Sequence, residues 1–571
     1  MANRLLNAHL NPRIQCVPLR SDESPELVYV KVAEGLEFAM DPNSMCVMQI
    51  DGPEDFIELR NNPPTPYVMA KYKPNFQRAG GDPPVRSLVL EACHDCNLAC
   101  SYCFVRNYYA DHGTGNYMTF ETARSAIDRL LDPRQKLSVG FFGGEPMLNM
   151  KLLKEVTAYV EHLALTQGPG CKACGGGGLT RGEQCRGCRG TGKQSPGLHV
   201  TTNGTLYSEE NLRFLADHGY SLITSIDGTN EAHDALRPMK RSGRGSHKQI
   251  MSGLERMLKI APTLTKSNTL RSTFSAMRGE TIRERLEFLN QICDDGKASW
   301  VSVEPAAMSE NTCFIPNQDE LEIHIGNVWD RFYDEYMDTA DWWIERATAG
   351  KQPRFHNIHK SLERLFWTVH SGTECGAGAG YAAVNAKAEI FGCHRESNSY
   401  LGTLVTGVDP KLRQPWLDNR IYTRTGCMNC GHRYACGGGC REDSMGDKGN
   451  IHEPSNVHCT LKEMWIRSAL KVMASLPKKT IARFCSEPRK MDSRKLYGFI
   501  SGDTLPRDKS GIIETKWVEN IPLSALVREG VDPTVPVPDF HDEPIDQTVV
   551  DTAYNPAGPV ELPAAVQTAL R

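Results

Sequence analysis

The stretch that decides the fold is Cys96-Asn97-Leu98-Ala99-Cys100-Ser101-Tyr102-Cys103, which follows the apolar run Val85 to Leu90. Three cysteines separated by three and two residues suit three corners of an iron–sulfur cubane, whose usual protein ligand set is four cysteines. A set of three leaves one iron open to a group that is not protein. Cys93 stands just upstream, so spacing alone also permits a zinc knuckle made of Cys93 and the three cysteines of the loop.

A second motif, Gly143-Gly144-Glu145-Pro146, follows the apolar run Leu137 to Phe142. Together the two motifs resemble those of the radical S-adenosylmethionine (SAM) superfamily. That family carries CxxxCxΦC after its first strand, where Φ is an aromatic residue (here Tyr102), and GGEP after its second strand. In the family, one electron from the cluster cleaves SAM and yields a 5′-deoxyadenosyl radical, which abstracts hydrogen from the substrate.

The resemblance implies a ligand set and a SAM site. Cys96, Cys100 and Cys103 would hold a [4Fe–4S] cluster whose open iron binds SAM, and Cys93 falls outside the pattern. Gly143, Gly144 and Glu145 would hold the SAM amino group, since glycines allow a close approach of main chain and a carboxylate matches an ammonium.

Length and composition set the frame for this reading. The chain has 571 residues, enough for two to four domains, and a net charge of −4, which gives no reason to expect nucleic acid or an anionic membrane as partner. No apolar run reaches transmembrane length and no secretory signal is visible, so a cytoplasmic protein is expected. The 20 cysteines then favour metal binding or catalysis over disulfides.

The predicted fold class is α/β, with six strands that alternate with amphipathic helices between residues 84 and 310. The predicted strands are Val85–Leu90, Leu137–Phe142, Leu198–Thr202, Ser221–Ile226, Leu270–Ser275 and Trp300–Val303. Six such units in series argue for parallel strands in an open, partial (β/α)6 barrel, which is also the radical SAM core. The predicted domains are an N-terminal β-containing domain at 1–82, the barrel at 83–312, a helical linker at 313–370, a cluster-binding domain at 371–480 and a Pro-rich tail at 481–571.

Barrel enzymes place their chemistry at the carboxyl ends of the strands. The family resemblance puts Ser225 and Arg271 near the SAM carboxylate, with Asn203 nearby, and a guanidinium suits that carboxylate. The alternative is structural, because Asn203-Gly204 and Asp227-Gly228 also read as turns.

A second group of cysteines lies near the C-terminus. Seven cysteines in this order and spacing resemble the SPASM domain, an extension that binds two auxiliary [4Fe–4S] clusters. The resemblance assigns Cys427, Cys430, Cys436 and Cys459 to one cluster, and Cys375, Cys393 and Cys440 to the other, which is one ligand short. Cys313 is an unaligned candidate for the fourth place. The sequence departs from the family pattern at Ala388, where the family has Gly. The alternative interpretation of the seven cysteines is a pair of zinc sites.

An insertion at 166–195 carries a third group, Cys171-x2-Cys174 and Cys185-x2-Cys188. Two CxxC pairs make a tetrahedral four-sulfur site that suits zinc, and they resemble the CxxCxGxG repeats of DnaJ-type chaperones. The insertion occupies a helix-to-strand connection, hence the end of the barrel away from SAM. A structural staple is favoured over a docking element for a partner, and a further iron–sulfur cluster is a third reading.

These features predict a radical SAM/SPASM oxidoreductase that modifies a side chain of a ribosomally made peptide or protein by a thioether or carbon–carbon cross-link or by oxidation. His394 follows Cys393 where sulfatase-maturing relatives have an Asp that acts as a base, which disfavours formylglycine formation without excluding it. The N-terminal domain either captures a precursor leader by strand addition or caps the barrel edge. A low-potential donor such as flavodoxin or ferredoxin is the expected electron source. The rival functions are action on a small molecule or free amino acid, and a zinc-rich, chaperone-like scaffold.

Overall fold

The computed structural model describes residues 28–40, 45, 47–61, 84–103, 117–274, 280–305, 318–367, 371–395, 399–421, 423–424, 426–427, 430–485 and 499–500. Cys313, the proposed extra cluster ligand, and nearly all of the predicted tail at 481–571 beyond Cys485 lie outside these residues.

Sixteen strands are present in the described part of the chain. They are β1 (Val28–Ala33), β2 (Leu36–Met40), β3 (Val47–Ile50), β4 (Ser87–Cys93), β5 (Ser138–Gly143), β6 (Leu179–Thr180), β7 (Glu183–Gln184), β8 (Gly197–Thr202), β9 (Ser221–Ser225), β10 (Asn268–Phe274), β11 (Trp300–Pro305), β12 (Tyr381–Val384), β13 (Glu389–Phe391), β14 (Tyr400–Thr403), β15 (Gly407–Val408) and β16 (Phe499–Ile500).

The helices of the described residues connect and cover these strands. They are α1 (Pro53–Asn61), α2 (Phe120–Leu130), α3 (Met150–Thr166), α4 (Glu209–Asp217), α5 (Asn230–Leu236), α6 (His247–Ile260), α7 (Pro262–Thr265), α8 (Ile282–Asp294), α9 (Gln318–Thr348), α10 (His356–Phe366), α11 (Pro410–Asp418), α12 (Arg433–Cys436), α13 (Arg441–Lys448), α14 (Asn456–Ser475) and α15 (Lys478–Phe484). A 3-10 turn at Pro146–Asn149 precedes α3.

Six parallel strands form the centre of the main sheet, in the spatial order β11-β10-β9-β8-β5-β4. Sequence neighbours along the chain are therefore neighbours in the sheet, and helices fill the connections, as expected for parallel strands that must be covered on their faces. The mixed α/β class is thus confirmed. Closure of the six strands into a partial barrel stays a prediction.

Each predicted strand overlaps an observed one, with shifts at the ends. The largest shift concerns β4, which runs to Cys93 instead of stopping at Leu90. Cys93 therefore belongs to the strand, not to the loop that follows it. The predicted N-cap Thr119 is also observed, since its hydroxyl accepts the Thr122 N–H at 3.2 Å and α2 begins at the next residue.

The main sheet continues beyond β4 into the C-terminal part of the chain. β12 pairs parallel with β4, and Ala382 lies opposite Leu88 in that register. β13, β14 and β15 then extend the same sheet by antiparallel pairing, which gives ten strands in all. The predicted cluster-binding segment at 371–480 therefore adds directly to the edge of the parallel sheet.

A second sheet, in the order β1-β2-β3-β16, lies within the predicted N-terminal domain except for β16. Its edge strand β1 packs near α9 and α14: the Tyr333 hydroxyl donates to the Val32 carbonyl at 2.6 Å, and Arg467 donates to the Lys31 carbonyl. The aromatic side chains of α9 pack in the core, where Tyr336 stacks on Phe355. Within the described residues, the helices are too short or too polar to span a bilayer.

Candidate functional site

The Cys96–Cys103 loop lies at the carboxyl end of β4, where its main chain is fixed to the last residue of α5 and to the segment that follows it. The Ala99 N–H donates to the Pro238 carbonyl at 2.9 Å, and the Ser101 N–H donates to the Leu236 carbonyl at 3.0 Å. Cys96, Cys100 and Cys103 are half-buried. Three thiols on one anchored loop, partly open on one side, suit a cluster that also binds a small molecule.

Cys93 is the last residue of β4, and its thiol lies 3.4 Å from the Asp95 carbonyl. It is fully buried, and its thiol donates to the Glu145 carbonyl at 3.1 Å. Burial raises the pKa of Cys93 to about 12, as it does for Cys96, so the two thiols differ in their hydrogen bonds and not in their acidity. This geometry favours the set of three cysteines over the four-cysteine zinc knuckle.

Two glycines let the motif after β5 pack against the entry to the cysteine loop. The Gly144 N–H donates to the Cys93 carbonyl and the Glu145 N–H to the Asp95 carbonyl, each at 2.8 Å. Gly143 has a φ of +124°, and a Cβ at Gly144 would lie only 2.1 Å from the Asp95 oxygen. Any side chain at Gly144 would push the two loops apart. The glycines therefore hold the loops together, in addition to any contact with a ligand.

The Glu145 carboxylate is completely buried and bound by protein donors. It accepts hydrogen bonds from the Met147 N–H at 3.0 Å, the Thr202 hydroxyl at 2.8 Å and the Asn203 N–H at 2.7 Å. Burial raises its pKa to about 7 against these donors. Glu145 thus connects the end of β5 to the end of β8. Its predicted contact with an ammonium group stays a prediction, in competition with these three donors.

Asn203 connects the end of β8 to the cysteine loop. Its amide nitrogen donates to the Asn97 side-chain oxygen at 2.8 Å and lies 3.8 Å from the Cys96 sulfur. Its own oxygen accepts from the Thr205 N–H at 3.0 Å, so the segment also forms the turn that the sequence allowed. Asn203 therefore forms the predicted turn and also contacts the cysteine loop.

The sequence did not identify a buried network behind the loop. The Tyr102 hydroxyl donates to Asp227, and Arg237 donates to the same carboxylate through Nε at 2.8 Å and Nη2 at 3.2 Å. Arg237 also lies over the Tyr102 ring, at 5.1 Å from its centre, with Nη1 3.9 Å from the Cys100 sulfur. Burial works to raise the pKa of Asp227, but the Arg237 charge and hydrogen bonds outweigh it and hold that pKa below its usual range.

Ser225 and Arg271 lie opposite each other on β9 and β10. Ser225 ends its strand and Arg271 is exposed, so both remain accessible at this edge of the sheet. Arg271 lies close enough to His394 to affect it: burial, then the charges of Arg395 and Arg271, lowers the pKa of His394 to about 3. His394 also contacts the Phe142 ring at 4.5 Å, next to the Gly143 turn. The cysteine turn at Cys393 therefore faces the same edge as the cysteine loop.

The C-terminal cysteines form two neighbourhoods. Burial, then the charge of Asp443, raises the pKa of Cys440 to about 12, with a smaller contribution from Cys375. Burial, then the charge of Glu442, raises the pKa of Cys393, with a smaller contribution from Cys440. Cys436 and Cys430 act in the same way on Cys427, whose pKa rises to about 12 mainly through burial.

Cys459 lies in the first turn of α14 and is exposed. Three members of each predicted set therefore influence one another's pKa, and their binding of clusters stays a prediction. Ala388 has a φ of +64°, which explains why this position favours glycine.

Comparison with known proteins gives a consistent result. The radical SAM superfamily matches residues 90–292. A radical SAM cyclopropyl synthase, TigE of Paramaledivibacter caminithermalis, is 20% identical over 410 residues, which cover 68% of this chain and 74% of TigE. A serine-type anaerobic sulfatase-maturating enzyme of Klebsiella aerogenes is 24% identical over 363 residues, covering 60% of this chain and 76% of the relative.

Among solved structures, anSMEcpe with bound AdoMet has a similar fold. Its TM-score is 0.51 at 16% identity, over 70% of this chain and 98% of that chain.

Proposed function

This chain is a radical SAM enzyme of the SPASM maturase branch, with its radical SAM domain at residues 90–292, and we propose that it modifies a side chain of a ribosomally made peptide or protein. The observation that carries the proposal is the anchored loop with three half-buried thiols, next to a fourth, Cys93, which is buried and bonded to the Glu145 carbonyl. The modification is a thioether or carbon–carbon cross-link, or an oxidation.

The residues present fit the cofactors of this family. Cys96, Cys100 and Cys103 would hold a [4Fe–4S] cluster, with SAM at the open iron. When bound, the pair supplies a one-electron cleavage that generates a carbon radical able to take hydrogen from a substrate. Because burial raises the pKa of Cys96 to about 12, metal binding at this loop must release protons.

The chain's own groups would orient SAM around this loop. The main chain of Gly143 and Gly144 lies against the segment leading into Cys96, which supports a role for this turn in binding the SAM amino group. Ser225 and the exposed Arg271 are proposed to bind the SAM carboxylate, with Asn203 beside the Cys96 sulfur. Tyr102 contributes by holding Asp227, and through it Arg237, behind the cluster loop.

The C-terminal cysteines are proposed to hold two auxiliary [4Fe–4S] clusters, one on Cys427, Cys430, Cys436 and Cys459 and the other on Cys375, Cys393 and Cys440. The contact of His394 with Phe142 supports a short path between the second cluster and the SAM edge of the sheet. A cluster bound there would accept the surplus electron or bind a substrate thiolate. The electron that starts the reaction would come from a flavodoxin or ferredoxin.

A polypeptide substrate is supported by the relative named for maturation of a sulfatase. Leader capture on the N-terminal sheet is less simple than the sequence suggests. A strand added at β1 would compete with the Tyr333 hydroxyl and the Arg467 guanidinium, which already bind the Val32 and Lys31 carbonyls.

The test is co-expression with short reading frames next to the gene, followed by mass spectrometry of each peptide. We expect loss of two hydrogen atoms from one peptide, as a cross-link or an oxidation requires. Cys96→Ala should abolish the change, and Cys293→Ala, a buried cysteine of α8 outside every group, should preserve it. Turnover of a free amino acid or another small molecule, with all peptides unchanged, would contradict the proposal.

A further inference from the structure

The segment between α3 and β8 folds into a separate small unit, defined here as the cysteine module (residues 168–194). It contains Cys171 and Cys174, the hairpin of β6 and β7, and then Cys185 and Cys188. The radical chemistry described above uses none of these residues, yet all four sulfurs converge on one point.

The distances between these sulfurs fit a single ion. Cys171 and Cys185 are 3.9 Å apart, Cys174 and Cys188 are 3.6 Å apart, and all four sulfurs lie within 4.8 Å of one another. A zinc ion with four Zn–S bonds of about 2.3 Å holds its sulfurs about 3.8 Å apart at the corners of a tetrahedron. A four-iron cluster binds each thiolate to a different iron, so its ligand sulfurs are spread more widely. We propose that the cysteine module holds one tetrahedral zinc ion through Cys171, Cys174, Cys185 and Cys188.

The two CxxC repeats pair with near two-fold symmetry around that point. The Cys171 N–H donates to the Gly192 carbonyl at 2.8 Å, and the Cys185 N–H donates to the Gly178 carbonyl at 2.9 Å. Gly178 and Gly192 have φ values of +77° and +73°. A Cβ on Gly178 would lie 2.5 Å from the Gly190 oxygen, and one on Gly192 would lie 2.3 Å from the Gly176 oxygen. Each repeat thus closes the other, which produces one shared site instead of two.

The ion would be the core of the module. The buried apolar cluster of this segment consists of Cys171, Cys185 and Cys188 with Cys174 packed against them. A unit this small cannot be stabilised by burial of three or four cysteine side chains alone, and structural zinc sites supply this missing folding energy. The Gly178 N–H points to the Cys174 sulfur at 3.3 Å, which stabilises a thiolate at that ligand.

The module is fixed to the outside of the sheet at the end away from SAM. It begins after the last turn of α3 and ends where β8 begins, so it lies at the amino end of the strands. Arg189 anchors it there, with Nη2 at 3.1 Å from Glu161 of α3 and Nη1 at 2.5 Å from the carbonyl of Asp217, the last residue of α4. A redox-inert ion in this place stabilises the fold of the module. The ion therefore takes no part in the radical reaction.

The test compares the full-length wild type with a Cys171→Ser/Cys185→Ser variant and the control Cys293→Ala, each purified anaerobically. Zinc should fall by one ion per chain only in the double variant, with iron content and 5′-deoxyadenosine formation unchanged. Limited proteolysis should cut the double variant faster within 168–194. Unchanged zinc, or a loss of iron, in the double variant would overturn the proposal.

X-ray absorption on the wild type keeps the proposal testable even if the double variant does not fold. At the zinc edge we expect four sulfur neighbours at about 2.3 Å. If the same site instead gives its signal at the iron edge, or if nitrogen and oxygen neighbours replace sulfur, the zinc assignment is wrong. Replacement of the metal by Co²⁺ should give the absorption bands of a tetrahedral thiolate site, and octahedral bands would be contrary evidence.

Discussion

The Arg237–Asp227 pair is the part of the site where one substitution should have the largest effect on stability. Arg237 is 9% exposed and Asp227 is completely buried, and two of the hydrogen bonds to the carboxylate come from Arg237. Arg237→Gln leaves a buried carboxylate without its cation, a change that costs about 3–5 kcal/mol. Asp227 keeps the Tyr102 hydroxyl and the Thr273 N–H, so we expect the lower end of that range, about 3 kcal/mol.

Thermal unfolding of the anaerobically purified chain measures this cost. For a domain of about 150–250 residues, a loss of about 3 kcal/mol in the free energy of unfolding corresponds to a decrease of roughly 6–12 °C in the unfolding midpoint. The matched control is Arg213→Gln, because Arg213 pairs with Glu209 on the surface of α4 at 57% and 61% exposure. An exposed pair contributes at most about 1 kcal/mol. Equal midpoints for the two variants would refute the reasoning.

The pH dependence provides an independent check. Because the folded pKa of Asp227 is held below its usual value, its contribution to stability is complete above about pH 4 and is lost as the pH falls through the lower folded pKa. Without the Arg237 charge, burial raises that pKa, so the deficit of the variant should shrink as the pH falls. Asp227→Asn combined with Arg237→Gln should cost less than the sum of the single changes, since each removes the group that the other leaves unpaired.

Three further changes test other parts of the structure by thermal unfolding. Gly144→Ala places a Cβ 2.1 Å from the Asp95 oxygen, so it should lower the free energy of unfolding by about 1–3 kcal/mol and reduce iron uptake. The control is Gly446→Ala, where nothing lies within 4 Å and the change should be neutral or stabilising. Equal effects of the two changes would contradict the packing argument. Burial raises the pKa of Glu145 to about 7, so the wild type should lose stability as the pH rises from about 4.5 to 7, and Glu145→Gln should lack this slope. Ala388→Gly should raise the free energy of unfolding by up to about 1 kcal/mol, and with it the midpoint, because Ala388 has a φ of +64°; a decrease would show that the turn is not strained.

Local patterns in the sequence were sufficient to predict the positions of the six parallel strands and to locate the groups of cysteines. Each strand of the parallel sheet is a short apolar run with a helix after it, so its position depends on neighbours within a few residues. The four cysteines of the module are also close in sequence, so their spacing was visible without knowledge of the fold. Their convergence within 4.8 Å follows from two adjacent repeats that pair with each other.

Contacts between distant parts of the chain could not be predicted in this way. β12, with the sequence Tyr381-Ala-Ala-Val384, carries too little pattern to show that it pairs with β4, almost three hundred residues earlier. Asp227 looked like part of an Asp-Gly turn, because nothing local shows that Tyr102 and Arg237 both reach it. An Asp-Gly directly after a strand, with an Arg-Pro ten residues later, was the available signal.

Glu145 shows a limit of a different kind. Its motif indicates a ligand-binding turn, and the carboxylate suggested the ligand contact. In the folded chain the carboxylate accepts three hydrogen bonds from protein, and the glycines before it pack against Cys93 and Asp95. The motif was recognised from its residues, but the direction in which each group points is decided by the neighbouring strand.

The central claim is that Cys96, Cys100 and Cys103 form the reactive cluster site without Cys93. The most direct measurement is 5′-deoxyadenosine formed from SAM by the reconstituted, chemically reduced enzyme. We predict product from the wild type and from Cys93→Ala, with similar iron content, and none from Cys96→Ala. No product from the wild type, or the same loss of iron and product in Cys93→Ala as in Cys96→Ala, would contradict the account.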